Sequence, residues 1–161
     1  MDDQPDPGPL RAIGVLRTPF RTRAECPRNG RQIMPAPLCH VELLPQFRPG
    51  LLAIEGFSHL ILLYWLDQQR QEEPPLVFTP PSDSEPRGVF ATRSPARPNP
   101  IGLSVVAFEG LDADGRLCVR YLDCVDGTKL IDIKPYLPTT DAEPEAMMGW
   151  VATRRRPPHT A

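Results

Sequence analysis

No stretch of this chain approaches the roughly 18 consecutive apolar residues that a membrane span requires. Its longest apolar run, Leu60 to Leu66, suits a buried strand or a short helix. The N-terminus, M-D-D-Q-P-D-P-G-P, has neither the basic start nor the apolar centre of a secretory signal. Several familiar signatures are missing as well: no G-x-G-x-x-G after a strand, no phosphate loop, no G-x-S-x-G and no H-E-x-x-H. Dinucleotide, ATP, serine-hydrolase and zinc-protease readings all lose support. The 4 cysteines contain no C-x-x-C pair, and a chain of this length does not need a disulfide framework. Cys39 and His40 are adjacent, and neighbours on a strand point to opposite faces, so no metal site is expected. The expected compartment is the cytoplasm.

An excess of charge of either sign is missing too. Lysine and arginine total 18 against 20 acidic residues, for a net charge of −2, so a polyanionic partner would have to use a local patch. The 40% hydrophobic and 24% charged content over 161 residues is that of one globular domain with its own core.

Proline is what the chain has in excess: 22 residues, against a usual share of about 5%. The prolines are scattered, marking many rigid turns rather than one linker. Between them lie short runs with strand character. Ala12–Thr18 is stopped by Pro19. Leu38–Leu44 sets Cys39, Val41 and Leu43 against Leu38, His40, Glu42 and Leu44. Phe57–Leu66 reads as a buried strand rather than a helix, Gly88–Arg93 as a short strand. Ile101–Glu109 and Arg116–Asp123 flank D-A-D-G, which suits a hairpin, and Thr128–Ile133 follows. Residues 141–150 suit one or two helical turns. Six or seven short strands with little helix predict a mainly β fold, a barrel or sandwich, and not a doubly wound sheet. Residues 1–10 are expected to be a disordered leader, 11–150 one domain, and 151–161 a basic flexible tail.

The densest proline segment is A-T-R-S-P-A-R-P-N-P-I-G, Ala91 to Gly102. Residues before proline are held extended, so Arg93 and Arg97 alternate with Ser94 and Ala96 and can face one side. Two guanidinium groups on a stiff loop suit a carboxylate or phosphate. A rigid surface turn paired with acidic side chains is the alternative. V-D-G-T, Val125 to Thr128, is either a plain hairpin turn or a polar rim contact. Ser58-His59 opens the most apolar strand, where a lone histidine is either structural or catalytic. Cys26-Pro27-Arg28-Asn29-Gly30 is a further rigid, arginine-bearing loop.

Four blocks in order carry a resemblance: I-G-V-L-R-T-P-F (Ile13–Phe20), G-F-S-H-L (Gly56–Leu60), G-V-F-A-T-R-S-P-A-R-P-N-P-I-G-L-S (Gly88–Ser104) and D-G-T-K-L-I-D-I-K-P-Y-L-P (Asp126–Pro138). Together they make the chain resemble the TrmO family, also called TsaA-like. These are S-adenosylmethionine-dependent enzymes that methylate N6 of a threonylcarbamoyl-adenosine at position 37 of tRNA. The resemblance implies a compact single β-barrel unlike the Rossmann-type methyltransferases, paired as a homodimer with the cofactor near the interface. It implies S-adenosylmethionine contacts from Pro27, Arg28, Asn29, Ser58, His59, Arg93, Leu103, Asp126, Gly127 and Thr128, with Arg93 on the methionine carboxylate. Asn29 stands where the family has glutamine. Longer family members also carry a C-terminal domain. No base is identified, although His59 and Asp126 are candidates for taking the amine proton. Two alternatives stay open: a small-molecule acceptor, and a non-catalytic module that binds the cofactor.

Overall fold

A computed structural model describes residues 8–69, 72–81 and 83–153. Most of the expected leader, and the tail with Arg154, Arg155 and Arg156, lie outside the described residues. The chain divides into two compact units, residues 1–67 with 101–136, and residues 68–100 with 137–161.

The first unit is a closed six-stranded barrel. Its strands are β1 (Gly14–Arg17), β2 (Cys39–Leu43), β3 (His59–Trp65), β6 (Ile101–Leu111), β7 (Leu117–Arg120) and β8 (Thr128–Pro135). Around the barrel they run β1-β2-β7-β6-β3-β8, and β8 closes onto β1. Every pairing is antiparallel. Alternation decides what lies inside. Leu16, Cys39, Val41, Leu60, Leu62, Tyr64, Val106, Leu117, Val119 and Leu130 fill the interior, each at most 3% exposed. The small inward residues make room for large ones: a β-carbon at Gly102 would fall on the Tyr64 ring. In the second unit β4 (Val77–Phe78) pairs with β5 (Arg87–Gly88) as a two-stranded ribbon.

The strand expected over Phe57–Leu66 forms as β3 and alternates, with Leu60, Leu62 and Tyr64 inward and Ile61, Leu63 and Trp65 half-exposed outside. Two expectations need correction. The strand expected over Gly88–Arg93 shrinks to Arg87–Gly88, because Val89–Ala91 coils into a 3-10 turn that Thr92 closes by donating to the Val89 carbonyl at 2.8 Å. The helix expected over 141–150 is one α-turn, α1 (Pro138–Asp141), and a separate 3-10 turn, Gly149–Ala152. Pro144 bars Glu143 from helical geometry between them.

Candidate functional site

The end of the barrel at Arg17 and Thr128 is sealed by the connection from β7 to β8. These two strands are not neighbours, so the segment crosses the barrel mouth instead of making a hairpin. Leu122 and Cys124 turn inward as its plug, 1% and 3% exposed. Polar bonds hold the crossing to the chain beyond β1. Thr18 Oγ1 donates to the Cys124 carbonyl at 2.8 Å, the Asp126 amide to the Phe20 carbonyl at 2.7 Å, and the Gly127 amide to the Leu16 carbonyl at 2.8 Å. Asp126 Oδ1 accepts from the Thr18 amide at 3.1 Å, and its Oδ2 lies 3.9 Å from Arg17 Nη1. Gly127 has φ +81, and Thr128 Oγ1 closes the turn on the Val125 carbonyl at 2.6 Å. Asp126 and Gly127 are thus exposed but fixed.

The arginine-bearing loop packs onto the same crossing. The Arg31 guanidinium sits 3.8 Å over the Tyr121 ring. Tyr121 has φ +78, a left-handed conformation costly for a bulky residue. Gly30 lies so close to its carbonyl that any β-carbon would collide. Asn29 Oδ1 accepts from the Arg31 amide at 2.9 Å, and Gln32 Oε1 from the Arg28 amide at 2.6 Å. The Asn29 side chain therefore shapes its own turn. The Arg28 side chain is exposed and makes no hydrogen bond or ion pair among the described residues.

One arrangement at this end is not visible in the sequence. Tyr64, 3% exposed, donates from its hydroxyl to Asp123 Oδ1 at 2.9 Å and accepts from Ser104 Oγ at 2.8 Å. Burial, with the neighbouring Asp123 charge, holds the phenol well above its usual pKa, so Tyr64 stays a donor. The three residues come from β3, β6 and the crossing, and no local spacing signals that they meet.

Ser58 and His59 lie at the opposite end. The Ser58 carbonyl accepts from the Phe108 amide at 2.8 Å, and its hydroxyl is 2.9 Å from His59 Nδ1. His59 meets Tyr136 edge-on at 6.3 Å, and the Tyr136 amide donates to its carbonyl. Thr128 and Tyr136 are separated by the length of β8, roughly 25 Å at about 3.3 Å per residue. Across the register His59 is opposite Ala107 and Ala107 is opposite Arg120, so the start of the crossing is two strands away, roughly 10 Å at about 4.8 Å per strand. Leu103 stands between the two ends, opposite Leu63, which is itself opposite Asp132. Its side chain is on the outer surface, 50% exposed. Beside Ser58, a cleft of about 410 Å³ lined by Ile13, Leu43, Leu51, Ile54 and Phe57 opens this end.

Arg93 belongs to the second unit. Within its loop the two arginines do different things. Arg97 folds back, donating from Nη1 to the Thr92 and Ser94 carbonyls at 3.2 and 3.4 Å. Arg93 is exposed and has no hydrogen bond or ion pair among the described residues. The structure thus sets the Pro27–Gly30 loop against Tyr121 at the start of the crossing and holds Asp126, Gly127 and Thr128 at its end. Ser58 and His59 lie at the other end of β8 from Thr128 and two strands from Arg120, and Leu103 is on the outer face of β6.

Comparison with known proteins matches these same stretches. The family model described as the tRNA-methyltransferase O N-terminal domain matches residues 15–142. A protein of Archaeoglobus fulgidus named S-adenosyl-L-methionine-binding protein is 43% identical over 132 residues, 82% of this chain and 91% of its own length. A longer protein of the same organism is 47% identical over 142 residues, 88% of this chain but 37% of its own length. The crystal structure of TrmO from Pseudomonas aeruginosa superposes with a TM-score of 0.74 at 36% identity, covering 95% of this chain and 65% of that one. This chain therefore spans about a third of the longer Archaeoglobus protein and just under two thirds of the Pseudomonas chain. With a match that takes in every barrel strand, the chain belongs to the tRNA-methyltransferase O family, through its N-terminal domain.

Proposed function

We propose that this protein is an S-adenosylmethionine-dependent methyltransferase acting on N6 of threonylcarbamoyl-adenosine at position 37 of tRNA. Family membership sets the reaction class, and the observation that carries the reading to named residues is the division of labour in the proline-rich loop. Arg97 braces the loop from within, and Arg93 has no partner among the described residues. An exposed guanidinium on a proline-stiffened loop is suited to a carboxylate such as the methionine end of the cofactor. Methyl transfer from a sulfonium needs donor and acceptor in line more than it needs a covalent nucleophile. Prolines on the Arg93 loop and Gly30 against Tyr121 are the kind of rigid support that alignment requires. On the barrel unit, Pro27, Arg28, Asp126, Gly127 and Thr128 would contact the cofactor, and Arg21 and Arg23 would face RNA phosphate.

The distance along β8 from Asp126, Gly127 and Thr128 to Ser58 and His59 supports a homodimer. Cross-strand neighbours Ile61 and Val105, Leu63 and Leu103, and Trp65 and Ile101 make the outer face of β3 and β6 apolar, a face suited to a partner. A two-fold axis across that face would lay one protomer's His59 end beside the other's Asp126 end. Ser58 and His59 would then complete the site from the partner subunit.

Purified protein given labelled S-adenosylmethionine is expected to produce S-adenosylhomocysteine with total tRNA and not with a nucleic-acid-free extract. Arg93→Ala is expected to weaken cofactor binding by about tenfold or more, the effect of one charged hydrogen-bond partner, with unchanged thermal unfolding. Wild-type affinity in that variant would show that the loop serves something else. A second reading, a small-molecule acceptor, is favoured by the net charge of −2. Turnover with the extract but none with tRNA would establish it. Tight cofactor binding without turnover in either arm would leave a binding module.

A further inference from the structure

On the outside of the barrel is a set of side chains that methyl transfer does not use. His40 on β2 and Cys118 on β7 are directly opposite each other in the strand register. Their neighbours Cys39, Val41, Leu117 and Val119 point into the core, so both His40 and Cys118 face outward. Asp112, where β6 turns toward β7, joins them. One donor atom from each of the three lies within 4.8 Å of the other two.

We propose that His40, Asp112 and Cys118 form a zinc-binding site. Imidazole nitrogen, carboxylate oxygen and thiolate sulfur are the donors zinc takes, three protein ligands leaving the fourth tetrahedral position to water. Ligand bonds of about 2.0–2.3 Å place tetrahedral donors roughly 3.3–3.8 Å apart. His40 Nε2 is 4.0 Å from Asp112 Oδ2 and all three donors lie within 4.8 Å of one another, so the donors need to approach by about 1 Å or less to reach that spacing. Two ligands ride on paired strands, and the third is held by its own turn. Asp112 Oδ1 accepts from the Asp114 and Arg116 amides at 3.0 and 2.9 Å, and Oδ2 accepts from Arg116 Nε at 2.8 Å.

Arg116 does not exclude the ion. A carboxylate oxygen has more than one acceptor direction, and ligating carboxylates are ordinarily oriented by an outer hydrogen-bond donor. Glu42, two residues along β2, and Arg17, opposite His40, bind each other at 3.0 Å, so their charges largely cancel beside the site. On binding, the Cys118 thiol proton leaves to solvent as the sulfur–zinc bond forms. The ion would tie the β6–β7 hairpin to β2. Nothing in the sequence spacing announces such a site, because the ligands are neighbours across the ladder and not along the chain.

Titration of the metal-free full-length chain with Zn²⁺ is expected to give one equivalent per chain. Cys118→Ser and His40→Gln should each weaken binding by about tenfold or more, and Cys26→Ser should leave it unchanged. Co²⁺ is expected to give a thiolate charge-transfer band that disappears in Cys118→Ser. In the unmutated protein Zn²⁺ should also slow alkylation of Cys118, a readout that does not depend on any variant folding. No stoichiometric zinc, or binding unchanged in both ligand variants, would overturn the proposal. S-adenosylmethionine binding measured on the same samples is expected to be unaffected, so the site stands or falls apart from the methyltransferase reading.

Discussion

The two ends of the barrel are built on opposite plans. At Thr18 and Asp126 the β7–β8 crossing closes the mouth, drives Leu122 and Cys124 into the core and ties itself down with backbone bonds to Leu16 and Phe20. At Ser58 and His59 the mouth stays open to a cleft of about 410 Å³, and Leu52 on its wall is 92% exposed. Stability is thereby concentrated at one end, and room for something to dock is concentrated at the other. That separates residues that hold the fold from residues that can change partners.

Truncation tests this contrast most strongly. Leu122→Ala is expected to cost about 2–5 kcal/mol, since a sealed plug cannot collapse into the space left behind. Leu52→Ala at the open end should stay within about 0.5 kcal/mol. Urea unfolding of the two variants measures both, and equal losses would show that the ends do not differ in this way. Tyr64→Phe removes a buried donor to Asp123 and an acceptor for Ser104, and is expected to cost about 1–3 kcal/mol. If the loss is confined to stability, with cofactor affinity unchanged, Asp123 serves the seal and not the site.

The ends should also communicate through a partner. Asp126→Ala and His59→Ala are each expected to lower cofactor affinity by about tenfold. Mixing the two variants should restore one intact site in every mixed dimer. Activity that fails to recover on mixing would place both residues in the same subunit's site.

The smallest effect is one of pH, again at the sealed end. Burial pushes the Cys39 thiol from its ordinary 9.0 up to about 11. The unfolded chain therefore releases this proton near 9 and the folded chain only near 11. The stabilisation is complete below that window and lost as pH rises through it. Cys39→Ala is expected to flatten the alkaline limb of a melting-temperature profile between those values.

Local patterns forecast what is local. The alternation of Cys39, Val41 and Leu43 against His40 and Glu42 gave β2 its correct faces, and D-A-D-G formed the expected β6–β7 hairpin. Asp126-Gly127 was ambiguous for a physical reason: a positive-φ glycine turns the chain equally well in a hairpin and in a crossing. The missing side chain of Gly102 accommodates the Tyr64 ring, a fit between β3 and β6 that the loop's own sequence does not announce. Arg97 looked like a twin of Arg93 because alternation describes an extended chain and says nothing of a long side chain bending back to its own carbonyls. The Tyr64, Ser104 and Asp123 contacts, like the His40–Cys118 pair, join strands distant in sequence. Only the register assembles them.

Closure of the barrel also governs how these molecules can go wrong. All six barrel strands have a hydrogen-bonded neighbour on each side, so the barrel has no edge strand, although Ile101–Val106 of β6 pair with β3 alone. A closed ladder of this kind gives another chain little to extend during crowded expression. The β4–β5 ribbon has only two strands and thus two outer edges. Its brevity limits that hazard. Any lengthening of the ribbon by insertion would be the change most apt to cost solubility.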